Sequence, residues 1–336
     1  MFGFKFGSLL IAALLLPAVA AASDVDPARF NAADFTKAGS DGIEPAVVKA
    51  QILLSRRNIS PGEIDGKHSA RLDEAIAAFA EANGLPATTK WSREFWLALT
   101  SRVPGPVLSE YAVTREDLSG PFVQLPARME DMRSFKTLGY GSAREALAEK
   151  FHMSEELLAS LNPDASFAQA GERIIVANVM GDRTPPHAAR IEIDKDRQTA
   201  KAYSEKNELI AFFPASVGSD DKPSPSGTLK VTLIEEDPSF HYNPRYQFKE
   251  IATQKPFDLN PGPNNPLGTR WIALSKPSYG IHGTPEPSQV GRAASHGCVR
   301  LTNWDVQRLA GMLSKGTPVN FIESPRAGPY TAFTAN

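Results

Sequence analysis

The chain holds a single cysteine, Cys298, set in the stretch "RAASHGCVRL" at 292–301. A thiol becomes a nucleophile as the thiolate, and a free thiol is mostly protonated at neutral pH, so a base has to stand within reach. Two histidines qualify. His296 lies two residues before Cys298, which on an extended segment puts both side chains on one side. His282, in "YGIHGTPEP", reaches the thiol if a strand ending at His282 runs beside the loop that ends at Cys298. A cysteine with a histidine in reach can form a thiolate–imidazolium pair. Gly297 lets the backbone approach a substrate closely. The N–H groups of Gly297 and Cys298 suit a developing oxyanion. Arg300 offers a planar cationic fork for a carboxylate. Together these parts describe acyl transfer through a thioester. Two other readings of the same residues stand beside it: a zinc site from His282, His296 and Cys298, which lacks a visible fourth ligand, and a small buried cysteine with no chemistry.

The elements that must position these residues follow from hydrophobic period and turn signals. Residues 187–325 are rich in short β-type runs: "ARIEI", "TAKAYS", "LIAFFPASVG", "GTLKVTLIEE", "RWIALS" and "VNFIE". Turn residues separate them, and one helical stretch, "NWDVQRLAGML" at 303–313, stands out. A mostly-β domain, largely antiparallel, with one packed helix is expected, with Trp304 in its core. Upstream, residues 46–99 form a small three-helix unit. Leu72, Ile76 and Phe79 make its second helical stripe, Gly84 signals a helix end and Ser92 a helix start. Residues 100–137 carry Pro104, Pro106, Pro121 and Pro126 and read as a linker. Residues 138–179 show helical patterns over 143–151 and 154–161, then a strand "RIIVANV", a small α+β module.

The whole chain sets bounds on partners. It has 336 residues, 42% hydrophobic and 22% charged, with a net charge of −2, an ordinary globular balance without the basic surplus of a nucleic-acid binder. Residues 1–22 combine Lys5, an apolar run from Leu9 to Leu16 and small residues after Pro17. That is the layout of a signal peptide cleaved near 20–22, and it predicts a periplasmic protein. One cysteine forms no internal disulfide, and a lone thiol kept in an oxidising compartment points toward a use for it.

"IHGT" followed by "SHGCVRL" resembles the signature of the L,D-transpeptidases with a YkuD-type catalytic domain. The likeness spans about 187–325 and includes "SPSGTLKV" and "GPNNPLGTRWIAL". It implies a YkuD-type β-sandwich with Cys298 as nucleophile and His282 as general base. It also implies His296 beside the oxyanion pocket, Gly297 as a backbone donor and Arg300 near the substrate. A backbone carbonyl orients the base histidine in that family; its source here is not legible. Ser295, Tyr279 and Asn265 are expected on the substrate side. For Tyr279 a cross-strand packing role, and for Asn265 a turn role, fit equally. His241 reads as a loop residue, and His68, His152 and His187 as surface residues.

The 46–99 unit resembles a peptidoglycan-binding domain, with Ala80 where a glutamine is usual. The 138–179 unit resembles LysM, with "SARE" in place of the usual aspartate–threonine pair. The resemblance implies a thiol acyltransferase that needs no cofactor or metal. Its partners would be peptidoglycan stem peptides as donor and acceptor, or an outer-membrane protein as acceptor. An L,D-carboxypeptidase of the same fold and a non-catalytic wall-binding protein are the alternatives.

Overall fold

The computed structural model describes residues 26–36, 42–87, 89–101, 105–179, 185–219, 222–246, 248, 251–293, 295 and 297–324. The expected signal segment and His296 lie outside them.

Four helices open the described chain: α1 (Pro27–Asn31), α2 (Pro45–Ser55), α3 (Ala70–Ala82) and α4 (Arg93–Thr100). Pro45 starts α2, where the missing N–H costs nothing. Ser69 and Ser92 each accept a backbone N–H at the starts of α3 and α4, as the Ser92 signal predicts. Gly84, at φ +64°, ends α3 in the left-handed conformation.

The stretch read as linker holds regular structure. Strand β1 (Leu108–Ala112) lies inside the stretch read as linker. It pairs antiparallel with β2 (Arg173–Ala177), across the two helices α5 (Ala143–Lys150) and α6 (Glu155–Leu161). The paired strands and the two helices between them therefore reach back to residue 108. The rest of the stretch is no free tether either. Leu125, Met129, Met132 and Phe135 pack with Leu138 on Tyr242, Phe257 and Leu259 of the downstream domain.

That domain contains β3 (Arg190–Asp194), β4 (Thr199–Tyr203), β5 (Leu209–Pro214), β6 (Gly227–Glu236), β7 (Phe240–Tyr242), β8 (Phe257–Leu259), β9 (Arg270–Leu274), β10 (Gly280–His282), β11 (Val299–Arg300), α7 (Asn303–Ala310) and β12 (Pro318–Ile322). Eight strands form one sheet in the order β11-β10-β9-β6-β12-β3-β4-β5, and β7 and β8 pair as a separate ribbon. The mostly-β expectation holds, but the two packed faces of the expected sandwich come from a single curled sheet. The long strand β6 joins the halves: its first residues pair with β12 and its last with β9, around a register shift near Val231. The curl nearly closes, because Ser216, just after β5, bridges to Arg300 of β11. Alternation places Ile191, Ile193, Val319 and Phe321 inside, against Val306 and Leu309 of α7.

The modules share their cores. One continuous apolar cluster runs from Val47 and Phe79 through Leu147 and Leu157 to Phe212 on β5. Ile59 bridges to Phe212 and Ile64 to Met153, so the loop between α2 and α3 is held by both neighbours. His152 belongs to this junction and not to the surface. Its ring stacks on Trp304 at 5.2 Å and 10°, and burial pushes its pKa down to about 3. His187 is exposed, and His68 is half-buried beside Asp73 at 2.9 Å. No helix among the described residues is long and apolar enough to cross a membrane.

Candidate active site

Two short strands carry the expected chemistry. β10 and β11 run parallel, with Ile281 facing Val299 and His282 facing Arg300. Facing residues of a sheet project to the same side, so His282 and Arg300 share a face. Cys298 immediately precedes β11, and its Sγ donates to the Ser278 carbonyl at 3.6 Å. The backbone of Gly280, two residues before His282, also touches the thiol and favours its anion. The expected meeting of the His282 strand with the Cys298 loop is what the sheet provides.

His282 is buried, and its Nδ1 lies 2.7 Å from the carbonyl oxygen of Gly283. A carbonyl only accepts, so Nδ1 carries the proton and Nε2 is left with a lone pair. The residue that orients the His282 ring is thus the next one in the chain. Burial, then the nearby Arg300 charge, push the His282 pKa down to about 3, against the Gly283 hydrogen bond that raises it. Burial likewise pushes the Cys298 thiol up, and the Gly280 backbone and Arg300 oppose this. Both shifts favour the neutral forms, a thiol and an imidazole, over the ion pair that the spacing allowed.

The turn that presents Cys298 is braced by serines. Ser295 Oγ donates to the Cys298 carbonyl and accepts from Gly297 N–H at 3.2 Å. Ser224 Oγ donates to the Gly297 carbonyl at 2.8 Å. Gly297 itself has φ +110°, and a Cβ there would sit 3.2 Å from Cε1 of Tyr279. Ser295, expected on the substrate side, is 3% exposed and spends its hydroxyl on the turn. Gly297 N–H, expected as an oxyanion donor, is bound to Ser295, which leaves Cys298 N–H as the donor to weigh.

Asn265 takes the turn role of its two readings. It is fully buried, its Nδ2 donates to the Asn260 carbonyl at 2.9 Å and its Oδ1 accepts from Leu267 N–H at 2.8 Å. It fixes the loop that leads to Gly268 and presents nothing to a substrate. Tyr279 is half-buried against Gly297, with Lys276 Nζ 4.5 Å from its ring centre, so it lines the turn. His241 pairs with Asp258 on the exposed β7–β8 ribbon.

Sequence reading missed two neighbours. Trp271, facing His282 across β9 and β10, stands with its ring 5.8 Å from the imidazole. Asn303, the first residue of α7, fills the space beside Gly283. The signal for both was the pair of glycines that make room for them. No group of three or more histidine, cysteine or acidic residues able to hold a metal occurs among the described residues.

Two segments of the chain match known families. Residues 188–321 match the family model "L,D-transpeptidase catalytic domain", and residues 44–99 match "Putative peptidoglycan binding domain". A Bacillus licheniformis protein named "Putative L,D-transpeptidase YkuD" is 30% identical over 182 residues, 54% of this chain and 93% of the relative. An Escherichia coli protein named "Probable L,D-transpeptidase YbiS" is 30% identical over 37% of this chain and 41% of its own length. Among solved structures, an L,D-transpeptidase from Mycobacterium smegmatis is 20% identical with a TM-score of 0.33, covering 45% of this chain and 66% of its own.

Proposed function

Because the chain belongs to the L,D-transpeptidases of the YkuD type, we propose that Cys298 takes the acyl group of a peptidoglycan stem peptide as a thioester and passes it to an amine. The donor bond joins an L-centre to a D-residue. Sγ attacks its carbonyl carbon while His282 Nε2 takes the thiol proton, and the carbonyl oxygen becomes an oxyanion. Cys298 N–H faces that charge, and His296 is assigned to the same pocket. The C–N bond then breaks, His282 returns the proton to the departing D-amino acid, and the acyl group stays on sulfur. An acceptor amine attacks the thioester, loses its proton to His282, and releases the thiol.

The observation that carries this reading is the His282–Gly283 hydrogen bond, which keeps Nε2 unprotonated on the strand beside the thiol. Arg300, facing His282 in the register, suits a stem carboxylate. The acceptor is a neighbouring stem, which gives a crosslink, or a protein amine, which gives wall attachment. The site acts outside the cytoplasm, reached through export by residues 1–22. Incubation of wild type and Cys298→Ala with a disaccharide tetrapeptide, read by intact mass, tests it. An acyl adduct on wild type alone is expected; full turnover by Cys298→Ala would overturn the reading.

A further inference from the structure

The orienting carbonyl of Gly283 has a support that comes from another module. A Cβ placed on Gly283 would collide with Asn303 Oδ1, and so would one on Gly268. The Asn303 carboxamide is therefore wedged between the two glycine backbones. Its Oδ1 accepts from Thr269 N–H at 3.1 Å. Its Nδ2 donates to Glu149 Oε2 at 3.0 Å and Oε1 at 3.3 Å, and to the Pro263 carbonyl at 3.1 Å. Glu149 lies on α5, before the residues 188–321 that match the catalytic domain, and Tyr140 Oη donates to it at 3.2 Å. Asn303 and Glu149 are both buried, at 2% and 7% exposure.

A carboxamide can rotate about its terminal bond, so its hydrogen-bond partners decide which end faces the glycines. Thr269 N–H can only donate and the Pro263 carbonyl can only accept, and both Glu149 oxygens lie against the same NH2 end as Pro263. That fixes Asn303 with its oxygen toward Gly283 and Thr269, and fixes the peptide that carries the Gly283 carbonyl. We propose that Glu149 is a positioning residue for the base: through Asn303 and Gly283 it holds the carbonyl that sets the His282 tautomer. A module outside the catalytic domain thus completes the active site. The inference rests on His282 being the base.

The test uses the full chain. Glu149→Ala is expected to lower kcat about ten-fold with KM within two-fold, the loss expected when an oriented base is misaligned. The downfield NMR signal of the His282 Nδ1 proton should shift or broaden in that variant. Glu149→Gln, which keeps the volume and one acceptor, should restore kcat to within about two-fold. Asn303→Ala should reproduce the loss, and the Glu149→Ala/Asn303→Ala pair should be no worse than either single change, as for residues acting as one unit. If Glu149→Ala does not fold, Asn303→Ala decides by the same kcat and proton-signal readouts. Folded variants with wild-type kcat and an unmoved His282 signal would overturn the inference, and so would additive losses in the pair. A parallel His282→Asn variant separates this from the base assignment. If it retains activity, the base reading fails; if it is dead while the Glu149 and Asn303 variants are normal, only the positioning role fails.

Discussion

The indole of Trp271 occupies the space that a side chain on Gly280 would need: a Cβ there would stand 2.6 Å from Cζ2. The two residues flank the catalytic face from adjacent strands, since Gly280 pairs with Ala273 and His282 with Trp271. Trp271 thus leans along β10 from beside the imidazole toward the start of the strand, where the Cys298 thiol rests. Gly280→Ala forces the ring out of this position. We expect a stability loss of about 1–3 kcal/mol, the usual cost of overpacking, and a larger relative loss of kcat/KM. Thermal melting and steady-state kinetics on one preparation measure both.

The neutral resting pair predicts a distinct thiol titration. Burial holds Cys298 above the ordinary thiol range and His282 down at about 3. Alkylation by iodoacetamide should therefore speed up with pH across 7–9 without levelling off. A thiolate–imidazolium pair would instead give a rate that is flat through neutrality. A plateau beginning below pH 7 would contradict the neutral pair.

Ser295→Ala removes one hydroxyl that bonds at both ends of the Cys298 turn. The variant should lose about 1–2 kcal/mol of stability, since a buried N–H of Gly297 is left without its acceptor. If Ser295 contacted substrate, KM would rise instead. The expected pattern is a lower kcat with little change in KM.

Stability should fall as pH rises from 6.5 to 8. Burial raises the Glu149 carboxyl to about 8, against hydrogen bonds from Asn303 and Tyr140 that lower it. The native state then holds a proton that the unfolded chain has already released, and folding loses free energy as pH climbs toward 8. His68, raised by its bond to Asp73, contributes in the same direction. The difference between wild type and Glu149→Gln in urea melts isolates the carboxyl, and the Glu149→Gln curve should be flatter. On the acid side, His152 and His282, both lowered to about 3, make stability fall as pH drops below 6.5.

Much of the site was legible in sequence because its chemistry is local. Cys298 and His282 sit in compact, glycine-punctuated motifs, and the runs around them alternate cleanly enough to be read as strands. The helix starts at Ser92 and Ser154 were legible for the same reason, as short-range hydrogen bonds. What stayed hidden is of two kinds. Gly283 acts through its backbone, which residue type does not encode. Glu149 and Asn303 meet across 154 positions, and a buried acid on an amphipathic helix looks in sequence like a solvated one. Ser295 was misread, and Asn265 left open between substrate and turn, because a polar residue beside a motif does not reveal whether it faces outward or closes a turn. Strand β1 was passed over because its five residues lie among prolines, and its pairing partner is Arg173–Ala177.

Helix α7 has consequences for how such a protein can be taken apart. Asn303 meets Glu149, Trp304 meets His152, Asp305 accepts from Ser60 Oγ at 2.8 Å, and Arg308 reaches the Ser55 carbonyl at 2.8 Å. Arg71 of α3 adds a second seam, donating to the Val290 carbonyl at 3.1 Å on the approach to the Cys298 turn. A chimera that grafts this catalytic segment onto foreign wall-anchoring units would strand an acid, Asp305, and an amide, Asn303, at a raw surface. Shuffling at the apparent linkers would part α7 from the side chains that it meets in the preceding segments.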